Sequence, residues 1–329
     1  MTPWEVNACL GLWSETEEGA ATATLISVSE NHTFRIDRSA GEPLILRVHR
    51  PGYQSDASID SELEWLQALG TETVLSVARP LPGRDGRLLQ VLRPPDGRPR
   101  RAVLFAFEAG IEPQPTDDLG ALFATLGRLA AIAHDHAERF SPSATFSRQV
   151  WTAAAILDGS GPWGDWRAAP NAGGTAGHTL EALATRLRRD LAVYGTGRHR
   201  FGLIHADMRL ANLLVDGERV TLIDFDDCGF CWFMYDFAAA ISFFEDSPVV
   251  PELRRRWLEG YAAVRTLEAA DIAILDTMVL LRRMALLAFI GSHGETELAK
   301  AHAADFARIT AELAGTYLAR PEGRLTPSP

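Results

Sequence analysis

Lysine is almost missing from this chain: of 32 basic residues, only Lys300 is a lysine. Any cationic anchor for an anionic ligand therefore has to be an arginine, whose guanidinium forks onto oxyanions and keeps its proton at ordinary pH. Cysteine is nearly as scarce. Cys9, Cys228 and Cys231 are too few for a disulfide framework, which points to a reducing compartment. The opening Met1-Thr-Pro-Trp-Glu lacks the basic and apolar stretches of a secretory leader. The longest apolar run, Met278 to Ile290, is split by Arg282 and Arg283 and is too short to span a bilayer. A cytoplasmic protein with no membrane partner is expected. The formal charge of −11 argues against a nucleic-acid surface and suits a cationic or zwitterionic ligand. There is no internal repeat and no low-complexity tract.

What is present is ordinary for a globular enzyme. The 329 residues, 47% hydrophobic and 23% charged, are enough for two lobes that each bury a core. From Thr22 to His49, β-branched and apolar residues alternate around turns near 29–32 and 37–42, predicting two or three antiparallel strands. Ile59, Leu63, Leu66 and Leu69 then share a helical face, with Gly70 as the expected stop. Strands follow around 88–92 and 102–107, and the segment 105–113 reads as a hinge. Beyond it helices are predicted over 117–139, 179–194, 237–244, 252–264, 269–290 and 297–319. The Gly-, Pro- and Trp-rich stretch 158–177 reads as a surface loop or insertion. The domain reading is 1–107, 108–319 and a frayed tail 320–329.

The chemistry concentrates in Phe201 to Asp227, FGLIHADMRLANLLVDGERVTLIDFDD. Asp207 and Asn212 fall on one turn, Asp216-Gly217 is a hairpin turn, and Asp224 follows the next apolar run. His-x-Asp-x4-Asn followed by Asp-Phe is the order in which kinase-like enzymes set out a catalytic loop and a metal-binding aspartate. Hard oxygen ligands on two neighbouring loops suit Mg²⁺, which keeps several waters and bridges phosphates.

On these residues the chain, over roughly 20–315, resembles the aminoglycoside phosphotransferase and choline kinase superfamily of the protein-kinase-like fold. Within it, the chain looks like bacterial homoserine-kinase-type, hydroxylysine-kinase-type and stress-response-kinase-like members. The resemblance implies an α+β, bilobal fold: a small antiparallel-sheet N-lobe with one helix, and a larger, mostly helical C-lobe. It also implies ATP and Mg²⁺ as cofactors, with the γ-phosphate moving to a hydroxyl of a small amine-bearing or amino-acid-like molecule. The alternatives are a protein serine/threonine kinase of the stress-response type and a catalytically silent nucleotide-binding regulator.

In that family Asp207 would face the acceptor hydroxyl, and Asn212 and Asp224 would hold the metal. His205 would be a hydrogen-bond strut under the loop. Ala206 departs from the family's common His-Gly-Asp, and Arg209 and Leu210 stand where His-Pro is frequent. Where the family's third strand carries a basic phosphate anchor paired with a helix glutamate, this chain offers Arg47 in LILRVHR and Glu62 in DSELEWL. The loop SVSENHT, with Ser29 and Asn31, replaces a glycine-rich flap. Adenine is expected against the backbone near Phe105 and Phe107.

Other residues carry two readings. Arg209 either reaches a phosphate or carboxylate or is solvated surface. Asp226 and Asp227 either support the metal or meet a substrate amine, or else form an acidic turn. Of Arg282 and Arg283, one should pair with a buried acid, while one facing a pocket with His293 and Glu295 would clamp an acceptor carboxylate. Asp236 is read as a helix cap and loop brace. Cys228 and Cys231 have redox or zinc spacing but no second ligand pair nearby, so packing is the preferred reading. His134 and His136 do not share a helix face, which argues against a metal site.

Overall fold

The computed structural model describes residues 6, 9–14, 21–28, 31–93 and 98–321. It divides into two compact units: Met1–Ile111, Ser141–Arg148 and Leu214–Asp226 form the first, and Glu112–Phe140, Gln149–Leu213 and Asp227–Pro329 the second. Neither unit is one continuous segment, as a single boundary at 107/108 would make it.

The first unit is built on a six-stranded sheet. Strands β1 (Ala21–Val28), β2 (Asn31–Arg38), β3 (Leu44–His49), β7 (Arg100–Ala106) and β5 (Pro80–Leu81) lie in that order, and β6 (Gln90–Leu92) pairs with β7. The period-2 alternation decides the faces. Phe34, Ile36, Leu44, Leu46 and Val48 are buried in one cluster with Val6, Leu10 and Trp13. The alternate residues of β3, among them Arg47, turn to the other side, where helix α1 (Asp56–Glu72) supplies Glu62.

Ser55 caps α1 by accepting from the Ser58 amide at 3.1 Å. Gly70 does not stop this helix. It lies inside it, where a Cβ would come within 3.2 Å of the Val77 side chain, so the glycine permits close packing against β4 (Ser76–Val77). Thr73 caps the helix instead, its hydroxyl donating to the Leu69 carbonyl at 2.6 Å. β4 runs parallel to β11 (Arg219–Leu222), which forms the expected hairpin with β10 (Leu213–Asp216) around Gly217 at φ +60°.

The second unit is mainly helical: α2 (Gly120–Arg139), α3 (Ala153–Leu157), α4 (Gly174–Tyr194), α5 (Tyr235–Ala240), α6 (Val250–Ala262), α7 (Ala269–Ala273), α8 (Leu275–Ser292), α9 (Glu297–His302) and α10 (Phe306–Leu318). The run expected over 269–290 breaks at Ile274, and that over 297–319 breaks at 303–305. The stretch 158–177 is exposed over most of its length, as expected of a surface loop, but it is anchored into the core. Trp163 and Trp166 are buried, the Ala168 backbone lies against Gly291 of α8, and α4 already begins at Gly174. A small sheet, β8 (Gln149–Val150), β12 (Gly229–Trp232) and β9 (Phe201–Ile204), leads into the loop 205–209.

Helices α2 and α6 touch through glycines. A Cβ on Gly127 would lie 1.9 Å from the Trp257 carbonyl oxygen, and one on Gly260 would lie 1.8 Å from that of Ala124. The clash is with backbone, which cannot rotate away. Gly127→Ala should therefore destabilise the protein by about 2 kcal/mol or more despite the better helix propensity of alanine. Urea unfolding reads this directly, and an unchanged midpoint would refute the close approach.

Candidate active site

In the second unit the loop after β9 is held by one buried carboxylate. Asp236 accepts from the amides of His205 (3.3 Å) and Ala206 (2.8 Å) and from His134 Nε2 (3.0 Å). Because a carboxylate only accepts, His134 carries its proton on Nε2 and takes the Tyr261 hydroxyl on Nδ1 at 3.0 Å. Burial pulls His134 below its ordinary pKa and outweighs the pull of Asp236, which keeps the ring neutral. Asp236 is thus the expected loop brace but not a helix cap: it sits inside α5, whose N-cap is Met234 and whose start has no side-chain cap bond. His205 is the expected strut, its Nδ1 accepting the Asp207 amide at 3.3 Å.

Ala206 lies at φ +65°, in the left-handed region. Glycine would adopt this conformation at no steric cost, whereas the methyl group of alanine costs about 1–2 kcal/mol here. The hydrogen bonds on either side hold it there.

The Asp207 carboxylate is fully engaged. Its Oδ2 accepts from Asn212 Nδ2 at 2.7 Å and Arg209 Nε at 3.1 Å, and its Oδ1 accepts from Arg282. Burial alone would raise its pKa; Arg209, Arg282 and His205 outweigh burial and hold it below the ordinary aspartate value. Asn212 Nδ2 also donates to the Asp207 carbonyl at 2.8 Å. With its amide nitrogen spent in this way, Asn212 has Oδ1 left as a hard oxygen donor, which suits a divalent cation. Arg209 is partly buried on Asp207, so it is not solvated surface.

Both arginines of α8 are buried and both meet acids. Arg283 donates to Glu245 Oε2 (2.5 Å), Thr310 Oγ1 (3.0 Å) and the Phe306 carbonyl (3.3 Å). Arg282 is spent on Asp207, so the expectation of one arginine pairing while the other clamps a ligand is corrected to two pairs. His293 is buried and stacked on Phe289 at 4.7 Å, a packing role. Asp227 is half-buried, accepting from Gln149 Nε2 at 3.3 Å. Cys228 and Cys231 are buried and not joined in a disulfide; Cys231 donates to the Trp151 carbonyl, and burial pushes its thiol well up, the state of an inert packing cysteine.

In the first unit, Arg47 is 5% exposed and bonds Glu62 Oε1 at 2.7 Å, so it is no ordinary strand-surface residue. Its second nitrogen lies 3.5 Å from Asp224 Oδ1. Its plane covers the Phe105 ring at 5.1 Å. Burial works against the Arg47 charge, but Glu62, Asp226 and Asp224 outweigh it and hold the guanidinium protonated. Asp224 keeps an exposed side chain on a left-handed backbone at φ +58°, strain of the kind that clusters at functional sites.

Asp226 is not presented to solvent. It is buried, takes the Asn31 amide at 3.1 Å, and its carbonyl accepts from Gln54 and Arg148. Asn31 is therefore turned onto Asp226 as a tether for β2 rather than outward. Ser29 lies outside the described residues. Phe107 supports Arg35 at 4.9 Å. Among the described residues, no three His, Cys, Asp or Glu side chains converge on a metal site.

Beside Asp226, buried His49 is held neutral down to about pH 3, first by desolvation and then by Arg47. The unfolded chain protonates this histidine near its ordinary value of 6.5. Below that pH the unfolded state binds a proton that the folded state refuses, so stability is fully present above it and declines on acidification by up to about 1.4 kcal/mol per pH unit. Urea midpoints between pH 7 and 4 should show the decline, and His49→Gln should flatten it.

The bond of Tyr261 to His134 and the pairing of Arg282 with Asp207 leave no local mark in the sequence, because both depend on which helices meet. His134 does leave one, a polar ring on an otherwise Ala- and Leu-rich helix, where burial demands hydrogen-bond partners.

Residues 22–271 match the phosphotransferase enzyme family. The chain belongs to this family. It is a small-molecule phosphotransferase acting on alcohol groups, with an α+β, protein-kinase-like fold. The amicoumacin kinase of Bacillus subtilis is 26% identical over 268 residues, covering 78% of this chain and 76% of its own. An uncharacterised protein of Deinococcus radiodurans is 31% identical, covering 84% and 79%. Among solved structures, the microcompartment-associated aminopropanol kinase is 39% identical with a TM-score of 0.89, covering 99% of this chain and 100% of that one. Among the described residues no helix is long and apolar enough to cross a membrane.

Proposed function

We propose that this phosphotransferase moves the γ-phosphate of ATP, as its magnesium complex, to the hydroxyl of a small alcohol that carries an amine and no carboxylate. The observation that carries the chemistry is Asn212 giving Nδ2 to Asp207 and so keeping Oδ1 for an ion. Asn212 and the exposed Asp224 would hold Mg²⁺; Arg47, braced by Glu62, would fork onto the nucleotide phosphates. When bound, the ion neutralises charge on the phosphate oxygens. Asp207 orients the acceptor hydroxyl and takes its proton late, consistent with a loose transition state and a weakly basic carboxylate.

The acceptor reading rests on charge. Arg282 and Arg283 are neutralised by Asp207 and Glu245, which leaves α8 no free cation for an acceptor carboxylate. The acidic balance of the chain and its likeness to the aminopropanol kinase support an ammonium-bearing acceptor. Labelled ATP with Mg²⁺ should be tested against aminopropanol, ethanolamine, choline, homoserine, hydroxylysine and amicoumacin. Amino alcohols should be the better acceptors; faster transfer to homoserine or hydroxylysine than to any amino alcohol would overturn the reading.

A further inference from the structure

We infer that Arg282 is a positioning residue for the reacting carboxylate, fixing Asp207 by Oδ1 while Asn212 and Arg209 fix Oδ2. The inference rests on the phosphotransfer reading above. A carboxylate turns freely about its Cβ–Cγ bond unless both oxygens are held. Arg282 comes from α8, 75 residues along the chain, and is 1% exposed. Its three nitrogens go three ways: to Asp207 Oδ1, to the Ala206 carbonyl at 3.2 Å and to Ser242 Oγ at 3.0 Å. The same guanidinium thus grips two consecutive residues of the catalytic loop, at the point where Ala206 holds its left-handed backbone. Asp236 takes the amides of that loop, and Arg282 takes its carbonyl and its side chain. Trp163 and Tyr235 hold the guanidinium plane, with ring centres at 5.1 Å and 5.8 Å.

The rest of α8 shows what Arg282 is not needed for. Met278, Leu281, Ala285 and Phe289 already bury the helix, and an apolar side chain would pack there without giving up the hydration of a cation. A planar fork can serve three acceptors at once, whereas an ammonium on a flexible stem serves them only in part.

Transfer rates should be measured for Arg282→Met and Arg282→Lys, alone and combined with Asp207→Asn, together with thermal midpoints. Misplacing a reacting group by about an ångström costs on the order of 100-fold. Arg282→Met should therefore lose about that factor in kcat, with KM for ATP and for acceptor within about threefold of wild type. Arg282→Lys should recover about tenfold of the loss. The double variant Asp207→Asn with Arg282→Met should be no slower than Asp207→Asn alone, because a residue that acts through Asp207 has nothing left to position.

Three results overturn the inference: Arg282→Met with wild-type kcat, a raised acceptor KM at unchanged kcat (the carboxylate clamp), or a full further 100-fold loss in the Asp207→Asn background. Should Arg282→Met not fold, Arg282→Lys decides, a wild-type kcat counting against the inference and a loss at unchanged KM for it. An Asp207→Asn protein as active as wild type would remove the phosphotransfer reading itself, which separates that failure from this one.

Discussion

Asp207→Asn should lower kcat by about three orders of magnitude while leaving the KM for ATP near wild type. The substitution is isosteric, so packing survives. It exchanges one acceptor oxygen for an NH₂ group in a site where every neighbour is a donor. Asn212 Nδ2 and Arg209 Nε occupy one oxygen and Arg282 the other. Whichever way the new amide turns, a donor faces a donor, at a cost of about 1–3 kcal/mol in stability. Asn212 can relieve the conflict by turning over, which would present its NH₂ where Oδ1 was free for an ion. The variant thus loses its proton acceptor and disturbs a neighbour at once. Initial rates, with a urea midpoint to show the fold intact, test this; a folded variant within tenfold of wild type would count against Asp207 as the residue facing the acceptor.

Asp236→Ala should have the largest effect on stability, about 3–5 kcal/mol, and should abolish transfer even where the protein remains folded. Three donors lose their acceptor inside the protein: two consecutive backbone amides and His134 Nε2. Neither amide can find water, because His205, Ala206 and Asp236 are all buried. The left-handed turn at Ala206 also loses its brace, so the loop can relax and carry Asp207 away. Asp236→Asn, which keeps one acceptor oxygen, should cost less. His134→Ala should cost less again and should add little on top of Asp236→Ala, since both break one network. A stable, active Asp236→Ala protein would show that the loop is shaped by its own sequence.

Much of this was legible beforehand for local reasons. Alternation in β2 and β3 set which residues form the core, and it put Arg47 on the other face from Leu46 and Val48. The pairing of Arg47 with Glu62 was legible too, since the scarcity of lysine left arginine as the basic residue of β3 and Glu62 stood at the right helical position. That Asp207 and Asn212 share a turn was readable from spacing because loop, strand and turn lengths are short-range properties. The errors share a cause. Gly70 reads as a stop when only Val77 packing against it explains its place. The stretch 158–177 reads correctly as a loop from its composition, but nothing local shows that Trp163 and Trp166 are buried as its anchors. Asp226, Arg282 and Arg283 each carry a ligand reading beside a packing one, because an unpartnered charge in a sequence has no visible counterion.

The amino-acid sequence by itself determined most of the longer strands and helices though not their breaks, the order of the chemistry-bearing residues and the kind of reaction they serve, since each follows from periodicity or spacing over a few residues. The tertiary structure alone decided which charges were left for a ligand. Burying a guanidinium requires an acid to meet it, and whether Asp207, Glu245 or a substrate plays that part depends on helices brought together across the length of the chain.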